Sequence, residues 1–422
     1  GLLAALVLVA PYLRKDGAPT LPGFVARRFR SAPVRIALAL ATAVPALIVV
    51  LAEVKIGATL ASGMLGISVL AAALAGGTVA GLTLASATEF WNQSLGAEVY
   101  TLSTLLLASC LVLLFASAAP HRASSPSRHL GAALVAGLAF GVHYNVGGPC
   151  ALLVAASAWV QRRELGARGL TLLAGAFVLG LATFLYLPLR SLADPALDFG
   201  DPETPARFWR MLTLADMPTG KAFGRDLGTL ALQLAAVAGL AAKQWPAWVF
   251  TLFGLGGVTL YTRGAPRRLG LALASILVLD YAGILAMANF ALVEEELYEL
   301  RFLFLPAYLV LCVFGGLGFA FVAVRAERSV KVLVPLALLL IALALAPWAY
   351  AQHERLDKSE DRVMLDYGRA LLGEPEGPAL LFTYGDNAWM AALYQQTVWG
   401  LREKDVVLVA AGLLRHPWYR AQ

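Results

Sequence analysis

Charge and cysteine are the two things this sequence has least of. Only 14% of its 422 residues are Asp, Glu, Lys or Arg, against about 25% in an ordinary soluble domain. A chain so poor in charge cannot clothe a water-facing surface, and the soluble classes are excluded. The three cysteines, Cys110, Cys150 and Cys312, each sit inside an apolar run without CxxC or Cys/His spacing. That pattern excludes a disulfide framework and a zinc site and reads as packing in an apolar core. Basic residues outnumber acidic ones only 33 to 27, a net charge of +6. An excess this small, spread over many loops, fits an orientation signal better than a nucleic-acid footprint, so no nucleic-acid partner is expected. The chain also opens at Gly1 inside GLLAALVLVAPYL, with no Met and no basic n-region; no signal peptide is read there, and a truncated start is expected.

What the chain has in abundance is apolar length. Hydrophobic residues make up 59% of it and the mean hydropathy is +0.72. A crossing of the bilayer core takes about 20 apolar residues. The sequence predicts ten, near 34–54, 70–90, 97–119, 130–142, 146–160, 168–188, 245–262, 269–289, 302–324 and 332–350. The apolar stretch 227–242 is shorter and fits either an interfacial helix or a crossing. The predicted fold class is therefore an all-α polytopic membrane protein.

Loop charge orients it. Arg162, Arg163 and Arg168 outweigh Glu164; Arg263, Arg267 and Arg268 stand unopposed; Arg325, Arg328 and Lys331 outweigh Glu327. By the positive-inside rule these loops are cytoplasmic. The loop 190–226 and the Glu294–Arg301 stretch then face outside, as does everything after Tyr350. Near the N-terminus the alternation breaks: residues 14–33 should be inside, Lys55 outside, and Ile56 to Thr88 is too short for two crossings and a turn. A discontinuity is expected near residues 60–72.

Two resemblances meet there. The run from PYLR through the Thr20–Phe29 segment to EVKIGATLASGMLGI is similar to the sodium/solute symporter family over about 65 residues, and implies a fragment of inverted-repeat transporter helices. From about Val69 onward, FWNQSLGAEVYTLSTLLLA, GLAFGVHYN, LYLPLRSLADPALDFGDPETPARFWRMLT, RFLFLPAYLVL and LLFTYGDNAWMAALYQQ resemble the transmembrane-protein-260-type protein O-mannosyltransferases and their bacterial relatives. That resemblance implies a GT-C-like helical bundle of about ten transmembrane helices. It implies a lipid-phosphate (polyprenyl-phosphate) sugar donor, mannose being one such sugar, a protein or envelope glycan acceptor, and an active site on the non-cytoplasmic face of a bacterial inner membrane. The divalent-cation requirement stays open and no metal site is assigned. The division expected is a symporter-like fragment over 1–68, a GT-C-like core over 69–350 and a truncated outer α/β segment over 351–422. Together they describe a chain chimeric at residues 60–72 whose transferase part is incomplete; a solute symporter fragment, or a chimera with neither activity, is the alternative.

Transfer from a lipid phosphate needs a carboxylate base, cations for the departing phosphate and aromatic surfaces for the sugar. Arg190 and Arg301 suit phosphate. Trp91, Tyr100, Tyr144 and Trp209 suit sugar, although tryptophans at span ends also serve as interfacial anchors. Gln93 and His143 complete the outer-face group, His143 being equally suited to satisfying a freed backbone group. The DSGE-like and HPPGYP-like segments that carry the family's first-loop acid do not occur. Glu98 is the remaining candidate carboxylate, in a position that also suits a helix macrodipole. In the tail, ALLFTY, GDN, AWMAALYQQTVWG and DVVLVAA read as strand, turn, helix and strand. Asp386 and Asn387 stand where a doubly wound sheet places ligand contacts and where a helix cap would also stand.

Overall fold

The computed structural model describes residues 76–95, 99–115, 126–195, 198–213, 215, 225–261, 265–327, 333–357 and 361–421. The symporter-like stretch, the discontinuity expected at 60–72 and Glu98 lie outside them. In chain order the helices are α1 (Thr78–Ala85), α2 (Thr88–Leu95), α3 (Tyr100–Phe115), α4 (Pro126–Val142), α5 (Tyr144–Val160), α6 (Arg162–Leu181), α7 (Tyr186–Ser191), α8 (Pro205–Leu212) and α9 (Leu227–Ala242). They continue with α10 (Val249–Gly256), α11 (Ala265–Met287), α12 (Glu294–Leu300), α13 (Leu305–Glu327), α14 (Leu333–Leu356) and α15 (Val363–Gly373). Strand β1 (Ala379–Thr383), α16 (Asp386–Trp399), strand β2 (Val406–Ala410) and α17 (Pro417–Ala421) close the order.

Among the described residues four helical stretches are long and apolar enough to cross a membrane: Arg162–Ser191, Arg267–Ala286, Glu294–Ala320 and Leu336–His353. Tyr100–Phe115, Tyr144–Val160 and Leu227–Ala242 are apolar but shorter. At 1.5 Å per residue a helix of 16 or 17 residues reaches about 25 Å, short of a hydrocarbon core of about 30 Å. The chain is thus a helical membrane protein; of the ten crossings expected, four are long and apolar enough among the described residues, and the one expected at 34–54 lies outside them.

The described residues fall into two compact units. The larger takes 76–184 and 225–356. Its core is built round α13, buried along most of its length and packed by α10, α1 and α11, while α4 packs between α3, α5 and α6. Glycine permits the closest of these contacts: a Cβ on Gly137 of α4 would run into the Phe177 carbonyl and the Gly180 Cα of α6. Gly166, at φ +61°, breaks α6 near its start in a conformation that L residues rarely adopt.

The smaller unit takes 185–215 and 357–421. Here β1 and β2 pair in parallel, Ala379 opposite Val406 through Thr383 opposite Ala410, joined by α16 as a crossover. One sheet face packs Leu381, Val406 and Leu408 with Leu372 of α15 and Ala392 of α16. Arg402, itself at φ +55°, ties the unit together by donating to the Leu372, Pro375 and Gly377 carbonyls and to Asp405.

Candidate functional site

Three interruptions of helix gather the polar groups of the larger unit. The first separates α1 from α2 at Ser86 and Ala87, where the Ser86 hydroxyl donates to the Thr83 carbonyl at 2.9 Å and the Trp245 indole N–H donates to the same carbonyl at 2.6 Å. The second is His143 between α4 and α5. Its backbone is extended and its Nδ1 accepts the Asn145 N–H at 3.2 Å, so the imidazole acts as an N-cap. The third is the single 3-10 turn Arg301–Phe304 between α12 and α13.

Side chains tie these breaks to one another. Glu89, the second residue of α2, is 3% exposed. Its Oε2 lies 3.1 Å from Arg301 Nε, its Oε1 accepts from Gln93 at 2.8 Å and from Asn92 at 3.4 Å, and its backbone N–H donates to Gln244 Oε1 at 2.8 Å. Arg301 stacks its guanidinium 3.5 Å above the Tyr298 ring and stays one-quarter exposed. The Asn145 amide donates to the Leu303 carbonyl at 2.7 Å. Tyr100, at the start of α3, lies 4.1 Å from Phe302 and 5.4 Å from His143 by ring centroids. Burial holds the His143 imidazole below its ordinary pKa, which keeps Nδ1 free to accept.

Deeper in the same core stand Asp280, near the C-terminal third of α11, and Tyr308, in the first turn of α13. They are 1% and 0% exposed. The Asn145 amide and the Ala307 backbone lie against the Asp280 carboxylate, and the Tyr308 hydroxyl has no hydrogen-bond partner among the described residues. Tyr308 lies within electrostatic reach of Asp280, Glu89, Arg301 and Tyr281.

The structure therefore brings together four of the residues singled out in the sequence. Gln93 and Arg301 meet on Glu89, and Tyr100 and His143 meet beside Phe302. Tyr144 stacks on Phe184 instead, with centroids 6.1 Å apart; Trp91 is half-buried on α2. The others belong to the smaller unit. Arg190 is exposed at the end of α7, Trp209 is 66% exposed on α8, and Asp386 and Asn387 are exposed in the first turn of α16, after Gly385 at φ +80°. Asp198, Asp201 and Glu203 bring carboxylate oxygens within 4.8 Å of one another. Asp198 accepts from Ser191 at 2.5 Å and Asp201 pairs with Arg207, so two of the three are engaged by protein groups. All three cysteines are buried thiols, Cys110 beside Cys150.

The sequence reading passed over Glu89, Asp280 and Tyr308. A signal existed for the two acids: each is a carboxylate inside or at the edge of an otherwise apolar run, where ionisable groups are costly and mark function.

Comparison with known families places part of this chain. Residues 25–164 match the family described as Protein O-mannosyl-transferase TMEM260 N-terminal domain. The match supports a glycosyltransferase-like function, and it holds Glu89, Gln93, Tyr100, His143 and Asn145. Its bounds also take in residues 25–66, and the symporter resemblance is left without support. No curated protein and no solved structure matches the chain.

Proposed function

We propose that this protein is a membrane glycosyltransferase of GT-C type that moves a sugar, mannose in the first instance, from a polyprenyl-phosphate donor to a protein or envelope glycan acceptor. The reading rests on the match of residues 25–164 to the O-mannosyltransferase domain. We place the reaction on the non-cytoplasmic face of a bacterial inner membrane, the face to which loop charge assigns His143, Arg301 and the segment after Tyr350.

The geometry fits such a task. Arg301 is fixed by Glu89 on one side and Tyr298 beneath, while part of its guanidinium reaches solvent. A planar cation held this way is suited to a phosphate that gains charge as the sugar departs. Glu89 is ion-paired with Arg301 and accepts from Gln93 and Asn92, so its part is to position the arginine, and Glu98 remains the proposed carboxylate base. Tyr100 offers an aromatic surface next to this centre, and we assign Trp91 and Tyr144 supporting contacts on the same face. For Arg190, Trp209, Asp386 and Asn387 of the smaller unit we propose contacts to the acceptor.

The test is transfer of label from polyprenyl-phosphomannose to acceptor polypeptide in proteoliposomes containing the purified chain. Time-dependent labelling lost in Arg301→Gln supports the reading. No transfer, together with sodium-dependent solute uptake in the same vesicles, would overturn it in favour of a symporter.

A further inference from the structure

We propose that Asn145 is a positioning residue for the transfer step: braced by Asp280 and His143, it fixes the turn that carries Arg301 and so aims the guanidinium at the departing phosphate. The inference rests on the transferase reading, in which Arg301 meets that phosphate, and deepens it.

Three elements close on Asn145 at the start of α5. Its backbone N–H donates to His143 Nδ1 at 3.2 Å, and its side-chain amide donates to the Leu303 carbonyl at 2.7 Å and lies against the Asp280 carboxylate of α11. A carboxamide carries two N–H donors, a carbonyl only accepts, and a carboxyl offers acceptor oxygen in either protonation state. With acceptors on both sides the amide has one way to face, its N–H groups towards Leu303 and Asp280. Asp280 itself is 1% exposed in an apolar helix, a costly place for a carboxylate. What it meets there are the Asn145 amide and the Ala307 backbone, and Ala307 stands in the first turn of α13, directly after the Arg301–Phe304 turn. Asp280 thus braces the same turn from two directions.

The turn has four residues, and at about 2 Å of rise per residue Leu303 sits only about 4 Å along its axis from Arg301. Anchoring the Leu303 carbonyl stops the turn from rotating and sets the direction in which the Arg301 side chain leaves the backbone. Glu89 and Tyr298 hold the far end of that side chain. The guanidinium is therefore held through both ends, and removing the Asn145 amide frees only the near one. The charge stays in place to attract a phosphate, but its aim is lost. Aim counts most in the transition state, where the phosphate gains charge.

The test is steady-state transfer from polyprenyl-phosphomannose in proteoliposomes containing the full chain, with melting temperatures of the same proteins. Asn145→Ala is expected to lower kcat by about 10- to 100-fold while KM for the lipid donor moves by less than about threefold. An exchange separates positioning from a plain cross-link between α5 and α11. Asn145→Asp combined with Asp280→Asn again sets a donor against an acceptor between the two helices, yet returns no donor to Leu303. Its melting temperature should recover relative to Asn145→Asp alone, while kcat stays low. The exchange also decides the matter if Asn145→Ala does not fold. Where the wild type transfers mannose and Arg301→Gln does not, an unchanged kcat in Asn145→Ala, a loss confined to KM, or a kcat restored by the exchange overturns the positioning role and leaves the transferase reading standing. Absence of transfer by the wild type overturns both.

Discussion

Glu89 and Arg301 form an ion pair of 3.1 Å between the second residue of one helix and the first residue of a 3-10 turn far along the chain. Glu89 is buried and Arg301 is one-quarter exposed. Removal of one partner strands the other, which is why the pair is more informative through its loss than through its presence. Glu89→Gln or Arg301→Gln is expected to destabilise the larger unit by roughly 2–4 kcal/mol, somewhat under the cost for a fully buried pair. The double variant should lose less than the sum of the two. Thermal unfolding in detergent of all four proteins, set out as a double-mutant cycle, checks this; strictly additive losses would mean that the pair is not coupled.

A second prediction concerns the α4–α6 contact. A side chain at Gly137 meets the backbone of Phe177 and Gly180, and backbone cannot swing aside as a flexible side chain does. Gly137→Val should cost about 3 kcal/mol or more, at or beyond the upper end of ordinary overpacking. At Gly175, on the same α6, an added Cβ meets nothing within 4 Å, so Gly175→Ala is expected to be neutral or to stabilise by up to about 1 kcal/mol. Melting temperatures of the two variants side by side give the answer.

His143 predicts a pH dependence. Its folded-state pKa is lowered by burial, so the folded protein binds fewer protons than the unfolded chain between that lowered value and the ordinary 6.5. Stability from this residue is therefore complete above 6.5 and declines as pH falls through the folded value. The structural cause agrees, because a protonated Nδ1 can no longer accept the Asn145 N–H. A scan of melting temperature from pH 8 to pH 5 should slope downward, and His143→Gln should flatten that part of the slope; an unchanged slope in the variant would assign the effect to other groups.

In the smaller unit, Arg402 occupies a left-handed conformation that only its own hydrogen bonds justify. Arg402→Ala should cost roughly 3 kcal/mol through the loss of several charge-assisted bonds. Arg402→Gly, which removes the same bonds but relaxes the backbone, should cost less. Limited proteolysis of the segment from Val363 to Ala421 in the two variants ranks them.

Much of the architecture could be read ahead of the structure. Ala379 to Ala410 announced strand, helix and strand because β-branched and aromatic residues in short runs, with Gly385 between them, leave few alternatives. The apolar runs announced helices in the same way, but not their lengths: the Tyr100–Phe115 helix and the Arg267–Ala286 span look alike in composition, and only helix ends separate a crossing from a shorter buried piece. Gln93, Tyr100, His143 and Arg301 were legible as polar residues gathered near one end of the bundle. Their partners were not. The approach of Glu89 to Arg301 and of Asp280 to Tyr308 depends on packing between helices distant in sequence, which no local spacing encodes. Asp280 in particular stood alone in an apolar helix, and loops drew attention away from it.

The turn after α12 has a mechanical meaning. Three successive residues each hold a different helix: Arg301 grips α2 through Glu89, Phe302 packs on Tyr100 of α3, and the Leu303 carbonyl receives Asn145 of α5. With about 120° between neighbours in a 3-10 turn, one short pin engages three sides of the bundle at once. Loss of any single grip leaves two in place, whereas one residue inserted before Arg301 would rotate all three out of register together. That turn is the hub through which movement in any of these helices is felt by the other two.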